Sequence, residues 1–304
     1  MLRTLRLTYT QNQIFVNWIL SMSRKYIGVD LGAWYGNKTR IATLEEKEDG
    51  GKLHLISIDS EAIDEPYERN KQLVECLKRK ANDNAIIGID APFAIPYYLY
   101  NPIEDGHIIE TLYCPNDDSL LNNQKELLNQ MIYDNSARFV YHRTREKVLA
   151  PAGDKIGKMT ARMIHMVNKY KDELNIIKTP HLDIQSKKLS TIEVYPRATL
   201  KMLLEGETDK DKKDILSYKG DKWKEDKKKN MIERLSKLIN IPEELSNQII
   251  TDDDYDAIIC ALTAYLVSHK DYGYEKPDEE NLHKFTNSFI YIPKNLKSLC
   301  FGEI

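Results

Sequence analysis

Two short apolar segments, each associated with an aspartate, constrain the fold more than any other feature of the sequence. Ala85–Ile89 (AIIGI) contains no polar side chain and is followed directly by Asp90. Such a composition is typical of a central strand in a sheet that is covered on both faces. Lys25–Leu31 (KYIGVDL) is also short and apolar, carries Asp30 near its end and is stopped by Gly32. The sequence therefore predicts a sheet with buried central strands.

The order of the other segments indicates an α/β fold. Consecutive strands come first, as in α+β proteins, and helices and strands follow in turn. Two further strands are expected at the start, and the turn Asp49-Gly50-Gly51 between them favours a hairpin. The pattern then predicts a helix, the strand at Ala85–Ile89, an irregular and largely helical insertion, another strand and a long apolar helix. Besides the two segments above, the predicted elements are strands Arg40–Leu44, Leu53–Ile58, Thr191–Tyr195 and Phe289–Ile292 and helices Pro66–Lys80 and Tyr255–Ser268.

A single domain is expected over residues 24–304, with the insertion at about residues 94–190. Residues 1–23 are interpreted as an N-terminal extension rather than an export signal. The apolar patch Ile14–Leu20 is too short for the core of a signal peptide, and Asn17 interrupts it.

Composition excludes several classes of protein. Hydrophobic residues make up 41% of the 304 residues and charged residues 30%, as in soluble globular proteins. No apolar run approaches the ~20 residues of a membrane-spanning helix, so no membrane association is expected. The four cysteines lack any paired spacing, which favours a reducing cytoplasm over a disulfide framework or a thiolate zinc site. The net charge of −3 does not favour a DNA-coating protein, but it leaves room for a local basic patch.

Asp30 and Asp90 are the first candidates for chemistry. Each stands at the carboxyl end of a predicted buried strand, where ligands bind in α/β sheets. If the strands are neighbours, their spacing brings the two carboxylates to ~5 Å, where they repel unless one is protonated or a cation lies between them. Mg²⁺ or Mn²⁺ is the natural cation for such oxygen ligands. The alternative is that each aspartate only caps a turn.

A run of acidic residues at the start of the last helix is the second candidate. Asp252, Asp253, Asp254 and Asp256 exceed the single aspartate that an N-cap requires. Asp253 and Asp256 are three residues apart and share a helix face, so this pair is the one expected to complete a metal site. The alternative is a cap with surface acids, which is the interpretation for Asp252 and Asp254. Glu193, inside a short apolar strand, must be paired, metal-bound or at a sheet edge.

A basic segment supplies candidates for substrate binding. Residues 138–162 contain seven Lys and Arg residues against two acidic residues. A patch of this kind over an acidic site could hold a phosphate backbone, or it could balance acidic charge elsewhere. Arg143 and Lys155 belong to it. Other catalytic plans find no support, because the histidines lack metal-ligand spacing and no Walker phosphate loop or Gly-x-Ser-x-Gly elbow is present.

Several of these segments together resemble the family called domain of unknown function 429, whose members are described as predicted nucleases with a ribonuclease-H fold. The resemblance spans roughly residues 25–270. It is carried by IGVDLG (Ile27–Gly32), GIDAPFAIP (Gly88–Pro96), an Arg-x-x-Glu region with Asp154–Gly157, IEVYPRA (Ile192–Ala198), Tyr218-Lys219 and DDDYDAIICALTAYL (Asp252–Leu266).

The resemblance implies a ribonuclease-H-like fold, with a mixed five-stranded sheet flanked by helices. It implies acids from the first strand, the fourth strand, the Glu-Val-Tyr-Pro strand and the last helix, namely Asp30, Asp90, Glu193 and Asp256, with Asp253 as a further candidate on that helix. Arg143 and Thr144 resemble the family's Arg-x-Thr-Asp element, with Arg145 in the place of its acid.

The function expected from residues and resemblance together is metal-dependent hydrolysis of phosphodiester bonds in DNA or RNA. Two Mg²⁺ or Mn²⁺ ions ~3.5–4 Å apart would be held by Asp30, Asp90 and Asp256, with Asp253 or Glu193 assisting. The residues expected to offset charge on the substrate phosphate are Arg143, Lys155 and Lys219.

Two other classes of function remain open at this point. Sugar and acetate kinases of the actin-like fold begin with a strand ending in Asp-x-Gly and a hairpin carrying threonine, which Gly28–Gly32 and Thr39 resemble. Such kinases need two copies of the domain and a second glycine-rich phosphate loop, which the sequence does not display. The third class is a binding module that keeps the fold and recognises a nucleotide or nucleic acid without catalysis.

Overall fold

The computed structural model describes residues 23–33, 38–47, 52–60, 68–94, 135–149, 156–183, 188–205, 207–285, 288–294, 296 and 299. Over these residues the chain forms one mixed sheet of eight strands. Its strands are β1 (Lys25–Asp30), β2 (Arg40–Glu45), β3 (Leu53–Ser60), β4 (Ile86–Asp90), β5 (Ile176–Ile177), β6 (Ser190–Val194), β7 (Ile239–Asn240) and β8 (Ile290–Tyr291).

The strand order is β5-β6-β4-β1-β2-β3-β7, and β8 also pairs with β6. The hairpin strands β1, β2 and β3 are antiparallel, whereas β4 is parallel to β1 and β6 is parallel to β4. These five strands are the predicted ones, and they are adjacent in the sheet. The expected total of five was too small, because β5, β7 and β8 also join the sheet. Strand β8 lies within the segment Phe289–Ile292 that was predicted as a strand. Strands β5 and β7 were not predicted, because two residues are too few to display an alternating pattern.

Eight α-helices accompany the sheet in the described residues. Two 3₁₀ turns, Gly220–Lys222 and Glu279–Lys284, lie between them or after them. The helices are α1 (Arg69–Lys80), α2 (Asn135–Thr144), α3 (Gly157–Leu174), α4 (Pro196–Leu203), α5 (Asp209–Leu216), α6 (Glu225–Leu238), α7 (Glu243–Ser246) and α8 (Asp252–Ser268).

The two faces of the sheet are covered by different helices, because successive residues of a strand point to opposite sides. On β1, Ile27 and Val29 pack in one apolar cluster with α1 and α3. Tyr26 packs on the other face in a cluster that contains most of α8. The central strands are thus buried on both faces, as their uniform apolar composition predicts.

Helix α8 lies unusually close to the sheet over two glycines. Gly28 of β1 and Gly88 of β4 are register partners. A Cβ atom on Gly28 would lie 1.9 Å from the carbonyl oxygen of Ala257, and one on Gly88 would lie 2.7 Å from that of Cys260. Only residues without a side chain allow this approach. It brings the first turn of α8 next to the carboxyl ends of β1 and β4.

Several predictions differ in extent from the structure or fall outside the described residues. Helix α8 begins at Asp252 rather than Tyr255, because its acidic residues form the first turn. The proposed extension 1–23 lies almost wholly outside the described residues, as do 95–134 and 150–155 of the insertion. The described parts of that insertion are mainly α2 and α3. Among the described helices, none has both the length and the apolar character needed to cross a membrane.

Candidate active site

The two strand-end aspartates lie side by side. Asp30 and Asp90 are the last residues of the neighbouring parallel strands β1 and β4, and they are register partners. Adjacent strands are about 4.8 Å apart, and register partners point to the same face. That face is the one covered by α8, because Gly28 and Gly88 stand two residues earlier on the same strands. The carboxylates therefore emerge where the glycine contacts end and the first turn of α8 begins.

Both aspartates open into a cleft of about 450 Å³. The volume lies within the range typical of ligand-binding sites. Its walls carry charges of both signs. Asp253, Glu193 and Glu146 contribute further carboxylates, and the basic side chains along the described lining are Lys147, Arg197 and Lys219. The cleft thus combines clustered acids with cations at the carboxyl edge of the sheet, where ligands of α/β proteins bind.

The acidic run at the start of α8 separates into different roles. Asp254 forms a capping box with Thr251, whose hydroxyl accepts from the Asp254 backbone nitrogen at 3.2 Å. The Asp254 carboxylate also pairs with Arg40 at 2.8 Å. Asp252 accepts a hydrogen bond from the Gly220 backbone nitrogen at 3.0 Å. Asp252 and Asp254 thus serve structure, as predicted, whereas Asp253 lines the cleft.

Asp256 lies fully buried behind the cleft, and two consecutive residues contact its carboxylate. The Tyr218 hydroxyl donates a hydrogen bond to Oδ1, and the Lys219 ammonium forms an ion pair with Oδ2. Lys219 itself lines the cleft and is about half exposed. Asp256 lies near enough for its charge to act on Asp30 and Asp90, but the Lys219 ammonium lies at its carboxylate, and its part in a metal site stays a prediction.

Glu193 lies at the cleft but on the opposite side of its strand from the aspartate pair. Its register partner on β4 is Ile89, which packs against α1 and α3 rather than α8. The Glu193 carboxylate accepts hydrogen bonds from the backbone nitrogen of Phe93 at 3.1 Å and from Ser288 Oγ at 2.8 Å. Of the predicted alternatives for this buried acid, the structure shows hydrogen-bonded pairing, and it ties the segment after β4 to the edge of the cleft.

The predicted substrate-binding residues are distributed unequally. Lys219 is in the cleft. Arg143 is not among the residues that line it; its guanidinium lies 3.6 Å from Glu275 and over the ring of Phe139. Lys155 lies outside the described residues. The cleft therefore brings together Asp30, Asp90, Glu193, Asp253 and Lys219, with Asp256 directly behind Lys219.

Sequence reasoning missed an ion cluster that includes Glu146 and Arg197 of the cleft lining. Glu146 pairs with Arg197 and lies 3.4 Å from the Lys201 ammonium. Arg197 Nη1 also donates to the carbonyl oxygen of Leu216 at 2.8 Å. The signal that could have found this cluster is the isolation of Glu146 among basic residues. Tyr218 was also missed as a partner of Asp256, because no local pattern marks a tyrosine 38 residues before its acceptor.

The Asp30–Asp90 pair suits a divalent cation of the Mg²⁺ type. No group of three or more His, Cys, Asp or Glu side chains in the described part of the chain is arranged to hold a metal ion. Mg²⁺, however, keeps several waters and is usually held by one or two carboxylates together with substrate phosphates. Two aligned carboxylates at an open cleft match that requirement.

The ionisation of the site reflects burial of its carboxyl groups first and the charges around them second. Burial, followed by the charges of Asp256 and Asp90, raises the pKa of Asp30 well above its usual range. Burial raises the pKa of Asp90 to about 7, with Lys219 opposing the shift and Asp256 adding to it. Burial alone would lower the pKa of Lys219, but Asp256, Asp90 and Asp30 outweigh it and leave that pKa raised. The carboxyl groups thus resist ionisation unless more positive charge is brought near them, and the lysine stays protonated.

The raised pKa of Asp90 predicts that the metal-free protein loses stability as pH rises. In the unfolded chain this carboxyl titrates near pH 4, and in the fold near pH 7, so the folded state holds an additional proton between these values. The stabilisation from that proton is complete below about pH 4 and is lost as pH rises through about 7.

The Asp90→Asn variant removes this titration. We expect its thermal midpoint to gain a few degrees on the wild type between about pH 5 and about pH 7.5 in EDTA, since ~1 kcal/mol corresponds to ~2–4 °C in a large domain. Circular dichroism melts measure the effect. A difference between the two proteins that stays constant with pH would contradict the assignment.

The threonine of the kinase-like hairpin pattern is buried and hydrogen-bonded within the fold. Thr39 is fully buried, and its hydroxyl oxygen accepts hydrogen bonds from the Gly32 backbone nitrogen at 3.1 Å and from Arg162 Nη1 at 2.9 Å. Arg162 also donates to the carbonyl oxygen of Gly32 at 2.9 Å. These bonds join Gly32, just after β1, to Thr39, just before β2, and the described residues contain one sheet rather than two copies of the domain.

Comparison with known proteins gives one family. A model described as "Protein of unknown function (DUF429)" matches residues 28–281, a range that includes Asp30, Asp90, Glu193, Lys219, Asp253 and Asp256. No curated protein and no solved structure matches the chain.

Proposed function

The chain belongs to the DUF429 family, and we propose that it uses a divalent cation to hydrolyse phosphodiester bonds in nucleic acid. The observation that carries the proposal is the alignment of Asp30 with Asp90 at the head of the cleft. Two carboxylates held this close gain stability when a cation binds between them.

The proposed role of each side chain follows from its position in the cleft. Asp30 and Asp90 would bind Mg²⁺ or Mn²⁺, which supplies an activated water and offsets charge on the phosphate. Lys219 faces the same space and would offset negative charge on the substrate. Asp253 lines the wall beside Lys219 and would orient water, whereas Glu193 holds the segment after β4 in position.

A nucleic acid, rather than a small phosphodiester, is favoured by the surface at the mouth of the cleft. Tyr141 of α2 is 47% exposed, and the Arg145 guanidinium lies 5.9 Å from the centre of its ring. His142, Arg143 and Lys147 are exposed in the same stretch. This stretch runs directly into residues 146–149 of the cleft lining. Basic side chains attract a phosphate backbone, and exposed aromatic rings stack on bases.

Metal removal provides the direct test. We expect the purified protein to cleave at least one substrate in a panel of single-stranded, duplex and branched DNA and RNA with Mg²⁺ or Mn²⁺. EDTA should stop cleavage, and restoring the metal should recover it. The loss should be about a thousandfold, since a metal contributes several kcal/mol and each tenfold corresponds to 1.36 kcal/mol. Gel analysis of end-labelled substrates measures the rate.

The same panel separates the proposal from the two other classes of function. Cleavage that persists undiminished in EDTA would contradict the role of the metal. Consumption of ATP with a small-molecule acceptor, without cleavage of any polymer, would favour a kinase. Tight binding of nucleic acid with no turnover under any metal condition would favour a binding module.

A further inference from the structure

The carboxylates of the site already have one cation that belongs to the protein. Lys219 forms an ion pair with Oδ2 of Asp256, whose Oδ1 accepts the Tyr218 hydroxyl. Both oxygens of this fully buried acid are therefore contacted by residues of the chain. An acid so engaged differs from the open pair Asp30 and Asp90, which face the cleft.

The position of Lys219 is fixed from both sides. Before it, the ring of Tyr218 is fully buried and packs edge-on against Tyr255 of α8, with 5.6 Å between ring centres. After it, the Gly220 backbone nitrogen donates to Asp252 at 3.0 Å, and Trp223 Nε1 donates to the carbonyl oxygen of Ile250 at 3.0 Å. Helix α8 and the residues just before it thus anchor the backbone on either side of Lys219, and the ion pair with Asp256 positions the ammonium itself.

The charges of the site match a single divalent ion. If Asp30, Asp90 and Asp256 are all ionised, the Lys219 ammonium offsets one of their three negative charges. The two that remain equal the charge of one Mg²⁺ or Mn²⁺. A second ion would leave excess positive charge in a poorly solvated place, which is costly. Asp253 adds a further carboxylate on the cleft wall, and the charges of Asp252, Lys219, Lys38 and Arg40 all act on it.

We propose that the Lys219 ammonium takes the place of a second metal ion, so that the site binds one divalent cation at Asp30 and Asp90. This inference rests on the proposed function and revises the expectation of two ions. Lys219 is the charge-compensating group at Asp256, and its removal opens that carboxylate to a metal. Substrate phosphate then meets one exchangeable cation and one that is part of the chain.

Counting bound Mn²⁺ tests the inference without any activity assay. We expect titration of free Mn²⁺, followed by electron paramagnetic resonance, to give one ion per chain for the wild type. Lys219→Met retains most of the side-chain volume but not the charge, and should bind a second ion. Lys219→Arg retains the charge and should bind one. Lys222→Met, an exposed lysine in the next turn, is the matched control and should behave as the wild type.

Each result decides the question. Two ions on the wild type, no ion on it, or one ion on a folded Lys219→Met would overturn the inference; circular dichroism establishes folding. If Lys219→Met does not fold, Lys219→Gln replaces it, and the count on the wild type still decides between one ion and two. The proposed function is tested separately. Cleavage with two bound ions would support the function and contradict the one-ion inference. One bound ion without cleavage of any substrate would contradict the function and leave the one-ion inference in place.

Discussion

Replacing Asp30 with asparagine should lower the rate of nucleic-acid cleavage by about a thousandfold or more while leaving the fold intact. Asparagine has the same shape but cannot supply the negative charge that holds a cation, and several kcal/mol of transition-state stabilisation depend on that cation. In the metal-free protein the substitution should cost no stability. Burial and the neighbouring Asp256 and Asp90 raise the pKa of Asp30, so its ionised form is disfavoured in the fold.

Metal-dependent stability separates a lost site from a damaged fold. The wild type should gain ~2.7 kcal/mol when free Mn²⁺ exceeds its dissociation constant a hundredfold, and Asp30→Asn should gain much less. Thermal melts with and without Mn²⁺ measure both effects. Asp83→Asn is the control, because Asp83 is an exposed carboxylate in the turn before β4, at the end of the strand opposite Asp90. Cleavage by Asp30→Asn at the wild-type rate would contradict the proposed function.

The central part of the fold was predictable because its signals are local. A largely apolar strand is buried on both faces wherever it sits, so β1 and β4 were recognisable. Asp30 and Asp90 were placed correctly at the carboxyl ends of these strands. The long helix α8 was recognisable for the same reason, since it is buried almost all round. The two-residue strands β5 and β7 carry no such signal, because two residues do not make a pattern, whereas β8 was recognisable from the apolar segment Phe289–Ile292 around it.

The partners of the acidic residues were not predictable, because they come from distant segments. Asp254 takes its cation from Arg40 on β2, and Asp256 takes its hydrogen bond from Tyr218. Glu193 shows a related difficulty. Its face depends on the register between β4 and β6, and a shift of one residue would have turned it toward Asp90. Local sequence does not fix that register.

The arrangement of α8 links the stability of the fold to the geometry of the site. One end of the helix carries the acids that surround Lys219, and its next turn touches the sheet over Gly28. The backbone contact sets how far the first turn of α8 lies from Asp30 and Asp90. A change in the distance between helix and sheet should therefore alter both stability and metal binding.

Gly28→Ala should accordingly destabilise the protein by at least about 3 kcal/mol, at the upper end of the range for overpacked cores. In a strand without close neighbours, the same change would stabilise by ~0.4–1 kcal/mol through the unfolded state, so the sign reports the contact. The new Cβ would lie 1.9 Å from the carbonyl oxygen of Ala257 and 2.3 Å from the Ala261 nitrogen. These are backbone atoms of one rigid helix, so a rotamer change cannot relieve the overlap.

Gly88→Ala provides a graded comparison for this prediction, because its Cβ would lie 2.7 Å from the nearest atom, the carbonyl oxygen of Cys260. We expect a smaller loss in urea denaturation for Gly88→Ala than for Gly28→Ala, since a few tenths of an ångström of helix movement relieve the milder overlap. Where Gly28→Ala still folds, its α8 must have moved away from β1, and its affinity for Mn²⁺ should fall even though every acidic residue is retained. Equal stability of both variants and the wild type would mean that the helix does not pack directly on these glycines. The proposed link between the stability of the fold and the geometry of the site would then be wrong.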